Sequence, residues 1–117
     1  MYLVAPSSPQ ARIAAITRLC RGFVYAASLM GITGTRNAVS ASAAGLVQRT
    51  REHTALPVAV GLGVSTPEQA HEVAGFADGV IVGSAFVRRL ATAATPAAAV
   101  AAVADLTEAL AAGVRRP

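Results

Sequence analysis

Residues 57–85 read PVAVGLGVSTPEQAHEVAGFADGVIVGSA and contain two short apolar runs, each followed by glycine and then by a helical pattern. The first run, Pro57 to Val60, leads into a Gly-x-Gly turn, and the second, Gly79 to Val82, leads into Gly83 and Ser84. Strand, glycine turn and helix in this order are typical of a parallel β/α unit. The stretch therefore predicts two consecutive β/α units.

The same alternation extends over the whole chain. Tyr2 to Val4 and Phe23 to Ser28 are two more β-rich runs, and each is again followed by a helical pattern. A closed barrel needs eight such units and roughly 250 residues. Since the chain has 117 residues and four predicted strands, we predict an α/β fold with residues 1–117 forming a single partial domain, a half-barrel of about four units.

Helix starts and ends are marked by a few residue types. Three starts have a hydroxyl residue at the expected N-cap and proline at the first helical position, namely Ser8-Pro9, Thr66-Pro67 and Thr95-Pro96. Gln69 adds a predicted capping box to the second of these helices. Three glycines stand where helices are expected to end in a left-handed residue, namely Gly22, Gly75 and Gly113.

The last two helices follow one another with no strand between them. The pattern predicts a short helix from about Ser84 to Ala93 and a long one from about Pro96 to Ala112. A short extra helix directly after the final strand is a recurrent phosphate-binding feature of β/α barrels. We therefore expect an anion site at Ser84.

Composition excludes several classes of chemistry. Apolar residues make up 54% of the chain and charged residues 14%, which predicts a folded protein. All ten basic residues are arginines, so Schiff-base chemistry, pyridoxal phosphate anchoring and a Walker phosphate loop are excluded. The net charge of +4 comes from scattered arginines, and only two tyrosines and three phenylalanines are present to stack on bases. We expect a solvated surface and no nucleic-acid partner.

The sequence also carries expectations about cell compartment. The alanine-rich C-terminal run is interrupted by Pro96, Asp105 and Glu108, so we expect no membrane span. No basic region precedes the short apolar start, which argues against a signal peptide and for a cytoplasmic protein. The lone Cys20 sits in an apolar helical pattern and is expected to be buried and structural.

Three glycine-containing turns follow successive predicted strands, at the end where barrel enzymes place their active sites. They are Gly31-Ile32-Thr33-Gly34, Gly61-Leu62-Gly63 and Gly83-Ser84. Glycine lets the backbone approach an oxyanion closely, and a helix N-terminus favours a phosphate group. Thr66 occupies the place of the third glycine of a dinucleotide fingerprint, so that type of site is disfavoured.

Acids and bases are missing from this predicted face. Five of the six carboxylates lie on predicted helices, and Asp78 precedes its strand at the opposite end. His53 and His71 are more typical of surface residues than of catalysts, and neither has metal-ligand spacing to a partner. We expect no catalytic residue and no metal in this chain.

Five motifs in this order and spacing resemble the C-terminal half of the tryptophan synthase alpha subunit, a TIM (β/α)8 barrel of the ribulose-phosphate-binding type. The motifs are Leu3-Val4-Ala5-Pro6, Gly22-Phe23-Val24-Tyr25, Gly31-Ile32-Thr33-Gly34, Gly61 to Ala70, and Ala77 to Ala85. In that family the barrel cleaves indole-3-glycerol phosphate to indole and glyceraldehyde 3-phosphate, a lyase reaction. The indole passes to a beta subunit that carries pyridoxal phosphate, so the resemblance implies no cofactor here.

The resemblance also assigns roles to individual positions. It implies that the substrate phosphate is held by Gly34, Gly63, Gly83 and Ser84, and that the indole pocket is lined by Tyr25, Leu62 and Ile81. Thr33 matches a threonine of the mobile loop that closes over the site. The two catalytic carboxylates of the family come from the N-terminal half, which has no counterpart in this chain. Leu29 replaces a usual arginine in a loop that contributes to beta-subunit contact.

Three interpretations remain open from sequence alone. In the first, the chain is part of a lyase, either one that acts only when an N-terminal half-barrel completes it or a natural truncation that has lost activity. In the second, it is a non-catalytic half-barrel that self-associates and holds a phosphate ester. In the third, it is an unfolded gene remnant. A fragment of another phosphate-binding barrel, such as phosphoribosylanthranilate isomerase, is a further alternative; thiazole synthase is disfavoured by the missing lysine.

Overall fold

The computed structural model describes residues 2–28 and 36–115, except for the side chains of residues 36–39. The elements of these ranges alternate as predicted, and each strand end lies within one residue of its predicted place. In chain order they are β1 (Leu3–Val4), α1 (Gln10–Leu19), β2 (Val24–Ala27), α2 (Arg36–Arg51), β3 (Val58–Gly61), α3 (Pro67–Ala74), β4 (Gly79–Ile81), α4 (Ser84–Thr92) and α5 (Pro96–Val114).

The four strands form one parallel sheet in the order β1-β2-β3-β4. Tyr25 lies between Leu3 and Ala59 in the register, and Gly61 lies between Ala27 and Ile81. Because neighbouring strands are also consecutive in the chain, α1, α2 and α3 each connect one strand to the next. The predicted parallel β/α units are confirmed.

The two faces of the sheet differ in burial, as the period of two along a strand requires. Alternate strand residues are fully buried on the face that packs against the helices, namely Val4, Val24, Ala26, Val58 and Val60. The residues between them are half-buried on the other face in β2 and β3. The core therefore lies between the sheet and its helices, and includes Ile13 of α1, Leu46 of α2 and Val73 of α3.

Two of the predicted helix caps are present. The Thr66 hydroxyl accepts a hydrogen bond from the Gln69 N–H at 3.2 Å, and the Thr95 hydroxyl accepts one from the Ala98 N–H at 3.1 Å. The Gln69 side chain reaches back one residue further than a capping box requires. Its Oε1 accepts from the Ser65 N–H at 2.8 Å, so Gln69 also braces the turn that precedes α3.

The expectation for Ser8 and Pro9 was wrong. Pro9 itself is the N-cap of α1, and no side chain caps this helix. The Ser8 hydroxyl instead accepts from the Ala5 N–H at 3.0 Å, while the Ser8 N–H donates to the Ala5 carbonyl. Ser8 therefore closes the turn after β1, because a local turn competes for the same hydroxyl.

Of the three glycines predicted to be left-handed, one is confirmed and two are not. Gly22 has a φ of 81° and is left-handed as predicted. Gly75 ends α3 with a φ of −65°, in the right-handed region, so the left-handed prediction was wrong there. It was also wrong for Gly113, which lies inside α5 and is not among the positive-φ glycines. At Gly113 the reason for glycine is the close approach of Pro67.

Helix α5 bears on the expectation that the alanine-rich C-terminal run does not span a membrane. By length and composition alone it would suffice to cross a bilayer, despite Asp105 and Glu108. One such helix is weak evidence, and α5 packs against α3 and α4 with Leu106 and Leu110 buried. Its apolar character thus serves at least in part to cover the other helices.

Polar side chains hold the start of β3 and the turn after β1. The Asp78 carboxylate accepts from the Val58 N–H at 2.9 Å, at the start of β3, which confirms that it lies at the end opposite the candidate site. Arg49 of α2 donates to Gln10 Oε1 at 3.1 Å, to the Pro6 carbonyl at 3.2 Å and to the Ser8 carbonyl. Cys20 is buried as expected.

Candidate functional site

The N-terminus of α4 opens at the C-terminal end of β4. Gly83 is its N-cap, and no side chain caps the helix. The Phe86 N–H donates to the Gly83 carbonyl at 3.0 Å, so the N–H groups of Ser84 and Ala85 precede the first intrahelical bond. Gly83 and Ser84 are exposed, and a methyl group at Gly83 would meet nothing within 4 Å. An anion can therefore approach this helix end without obstruction.

The turn after β3 presents the second predicted glycine at the same edge of the sheet. Gly63 has a φ of 74°, a conformation that side-chain-bearing residues rarely adopt, and it is exposed. The hydrogen bond from the Ser65 N–H to Gln69 holds the end of this turn. Since β3 and β4 are neighbours in the sheet, the Gly63 turn and the Gly83 helix end follow adjacent strands.

Two of the predicted pocket residues share the half-buried face of the sheet. Tyr25 lies on β2 and Ile81 on β4, with Gly61 of β3 paired to Ile81. The Tyr25 ring covers Gly61 closely, since a methyl group at Gly61 would lie 2.6 Å from the phenolic oxygen. The face around this contact carries small side chains, including Ala27 and Ala59.

Leu62 occupies a different environment from the one that the sequence suggested. Its side chain is only 7% exposed and belongs to the core cluster, together with Val64. Little of Leu62 therefore remains to line an open pocket. The alternation of faces explains this, because Leu62 follows Gly61, whose face is the half-buried one.

Three sequence predictions fall outside the described residues. The turn Gly31-Ile32-Thr33-Gly34 contains the predicted loop residue Thr33 and the predicted phosphate residue Gly34, and Leu29 precedes it. The site described here is accordingly the part built by β2, β3, β4 and the N-termini of α3 and α4.

Ionisable residues stand mostly away from these turns. His53 contacts Gln10, and the His71 ring lies 3.1 Å from the Gly113 carbonyl. Among the described residues no group of three His, Cys, Asp or Glu side chains is placed to hold a metal ion. Glu68 lies on a helix as predicted, exposed on the first turn of α3.

The contact of Tyr25 with Gly61 and the bond of Gln69 to Ser65 were also missed. The first depends on strand register, for which the sequence gives no direct signal. The second has a recognisable signal, because glutamine at the third helical position commonly reaches back over the helix start.

A four-stranded parallel sheet in chain order, with glycine turns at its C-terminal edge and an extra helix after β4, defines the class as a partial β/α barrel. Solved structures agree with this class. A structure of Mycobacterium tuberculosis tryptophan synthase matches 98% of this chain at 47% identity, with a TM-score of 0.81, and 41% of that chain is covered. A mutant tryptophan synthase alpha subunit from Pyrococcus furiosus matches 94% of this chain at 32% identity, with a TM-score of 0.74 and 43% of that chain covered.

Sequence comparisons identify the family. The family model for the tryptophan synthase alpha chain matches residues 1–115. The alpha chain of Streptomyces coelicolor is 61% identical over 115 residues, which are 98% of this chain and 42% of that protein. The alpha chain of Acidothermus cellulolyticus is 60% identical over 116 residues, which are 99% of this chain and 43% of that protein. The chain belongs to the tryptophan synthase alpha chain family, and it spans about two fifths of the length of these relatives.

Proposed function

We propose that this chain supplies the substrate-phosphate site and part of the indole pocket of a tryptophan synthase alpha-type lyase. The reaction is the retro-aldol cleavage of indole-3-glycerol phosphate to indole and glyceraldehyde 3-phosphate in tryptophan biosynthesis. The observation that carries the proposal is the open, uncapped N-terminus of α4 beside the Gly63 turn, in a chain that belongs to this family.

The phosphate group would be bound mainly by backbone. The N–H groups of Ser84 and Ala85 and the dipole of α4 favour a dianion, and the Ser84 hydroxyl adds a neutral donor. The left-handed Gly63 lets its turn approach the same group. Gly34 is proposed as a further phosphate contact and Thr33 as the residue of a closing loop, on the family resemblance alone.

The indole ring would lie on the half-buried face of the sheet. Tyr25 and Ile81 both lie there, so an aromatic ligand has one ring and one aliphatic side chain to pack against, while Gly61 lies beneath the Tyr25 ring. Leu62 contributes only its small exposed fraction.

The general acid and general base are proposed to be supplied by residues outside this chain. General acid and base groups typically contribute roughly 10²- to 10⁴-fold each, and the described strand ends hold glycines, hydroxyls and Tyr25. The remaining three fifths of a family member would supply the carboxylates. Completion by that part gives a cytoplasmic enzyme that passes indole to a beta subunit.

A second candidate function is a half-barrel that self-associates and binds a phosphate ester without turnover. It is favoured by two observations, the unpaired outer edges of β1 and β4 in the described sheet and the exposed Leu3 on the first of these strands. The phosphoribosylanthranilate isomerase alternative is set aside, because the family match covers residues 1–115.

The proposal is tested by an indole-release assay with indole-3-glycerol phosphate. We expect no indole from this chain alone, and indole once the N-terminal three fifths of the Streptomyces coelicolor alpha chain is added in equimolar amount. Gly83→Asp should abolish the restored activity, because it sets a carboxylate where the phosphate binds.

Ala104→Asp is the matched control, since it adds the same charge on the exposed surface of α5. Indole release by the purified chain alone would overturn the assignment of the catalytic acids. Restored activity that survives Gly83→Asp would overturn the assignment of the phosphate site.

A further inference from the structure

A pocket of about 350 Å³ lies beside α4. It is lined by the turn after β3, by one face of α4 and by α5, and its lining residues are Ser65, Ala85, Arg88, Arg89, Thr92 and Leu106. Its four α4 residues recur with helical spacing, so they form one continuous face of that helix.

Both arginines of this face have unused hydrogen-bonding groups. Within the described residues, the guanidinium groups of Arg88 and Arg89 have neither a carboxylate partner nor a hydrogen-bond acceptor. Arg51 and Arg49, in contrast, are engaged with Asp78 and with backbone carbonyls. The pocket therefore combines two fixed positive charges with free donors.

The other walls suit a bound anion. Leu106 and Ala85 are buried and form an apolar base to the pocket. The Ser65 hydroxyl holds Gln69 by a long bond of 3.3 Å and can turn to donate to a ligand. The Thr92 hydroxyl donates to the Arg88 carbonyl at 2.8 Å and serves as a polar wall.

The geometry points to this α4 pocket as a second anion-binding site, which takes a phosphate dianion between Arg88 and Arg89. Paired guanidinium groups bind phosphate oxygens through parallel charge-assisted hydrogen bonds. At a rise of 1.5 Å per residue, Arg88 and Thr92 lie about 6 and 12 Å along α4 from Ser84. The arginines of the pocket thus lie further along α4 than the candidate site at Ser84, with Ala85 adjoining both, and the inference does not depend on the proposed function.

Occupancy of the pocket has a structural consequence at the strand ends. Ser65 terminates the turn that carries Gly63, and Arg88 belongs to the helix that begins at Ser84. A phosphate group held by Arg88 and Arg89 in a pocket that Ser65 also lines therefore lies between the two elements of the strand-end site. Helix-end arginines are also favourable without a ligand, because they face the negative end of the helix dipole.

The test is calorimetric titration of inorganic phosphate into the Gly83→Asp chain at low salt, which removes the strand-end site. We expect binding to persist in Gly83→Asp and to weaken about tenfold or more when Arg88→Gln and Arg89→Gln are added. Arg12→Gln with Arg18→Gln removes the same charge from exposed positions of α1 and should change the affinity by less than about twofold.

A second titration uses glycerol 3-phosphate to distinguish binding of a free phosphate ion from binding of a phosphate ester. Equal affinities for inorganic phosphate and glycerol 3-phosphate assign binding to the phosphate group alone. The pair Arg88→Lys and Arg89→Lys keeps the charge and removes the planar donors, so it should bind with intermediate affinity. The absence of phosphate binding to Gly83→Asp, or equal weakening by the α1 and α4 pairs, would overturn the inference. Both arginines are exposed, so the variants should melt as Gly83→Asp does without phosphate.

Discussion

The ring of Tyr25 lies across Gly61 on the neighbouring strand, and a methyl group at Gly61 would be 2.6 Å from its phenolic oxygen and 3.0 Å from two ring carbons. Glycine at position 61 thus allows the tyrosine to lie flat on the half-buried face. A side chain at position 61 therefore requires the Tyr25 ring to move.

Gly61→Ala should displace the Tyr25 ring and lower the free energy of unfolding by about 1–3 kcal/mol, the usual cost of overpacking. The measurement is urea denaturation followed by tyrosine fluorescence in a Tyr2→Phe background, because the chain has no tryptophan and only two tyrosines. Gly83→Ala is the control, since a methyl group there meets nothing within 4 Å. Equal stability of the two variants would show that the Tyr25 ring does not rest on Gly61.

Gly113→Ala should destabilise the chain by about 1–3 kcal/mol or more. Its methyl group would overlap the Pro67 carbonyl oxygen and lie 2.9 Å from the Pro67 Cα, and backbone cannot rotate away as a side chain can. Gly45→Ala, inside α2 with open space around it, should instead stabilise by about 0.5–1 kcal/mol. Thermal melts of both variants measure these changes in stability. A stabilising Gly113→Ala would contradict the close packing of α5 on α3.

Gln69→Leu should weaken phosphate binding without a substitution in the site itself. It removes the acceptor of the Ser65 N–H, and the turn that carries Gly63 then loses its brace. Calorimetric titration with glycerol 3-phosphate measures the effect, and Gln48→Leu on the exposed side of α2 is the matched control. Unchanged affinity in Gln69→Leu would mean that the Gly63 turn is held by other contacts.

Asp78→Ala should cost about 1–3 kcal/mol, because it leaves the Val58 N–H at the start of β3 without its 2.9 Å acceptor. Asp78→Asn keeps an acceptor oxygen and loses mainly the ion pair with Arg51. The side chains of Arg51 and Asp78 are 45% and 44% exposed, respectively. That variant should cost less than about 1 kcal/mol. Urea denaturation compares them, and equal losses would show that charge rather than the hydrogen bond matters.

The order of elements was predictable because each strand is a short apolar run with a glycine or proline within a few residues of it. Pro57 and Gly79 mark the start of β3 and β4 almost to the residue. Thr66 and Thr95 also marked true helix starts, since a hydroxyl followed by proline satisfies the first turn. Ser8 failed because its hydroxyl closes a turn with Ala5.

Contacts between elements were less predictable. Gly113 looked like a helix end, yet its role is set by Pro67, which is distant in sequence. Leu62 looked like a pocket residue and is buried, because strand alternation turns it away from the face of Gly61. The α4 pocket likewise depends on how α4 meets the Ser65 turn, so Arg88 and Arg89 appeared in sequence only as two of ten scattered arginines.

The strand ends of this chain are proposed to bind a phosphate ester in the folded state. This binding is tested most directly by a thermal melt of the 117-residue chain with and without glycerol 3-phosphate or indole-3-glycerol phosphate, using Gly83→Asp and Ala104→Asp for comparison. A ligand at a hundred times its dissociation constant should add about 2.7 kcal/mol to the free energy of unfolding. We predict a cooperative transition that rises with ligand in the parent chain and in Ala104→Asp, with a clearly smaller rise in Gly83→Asp. An equal rise in all three, or no ligand-dependent transition in the parent chain, would contradict the account.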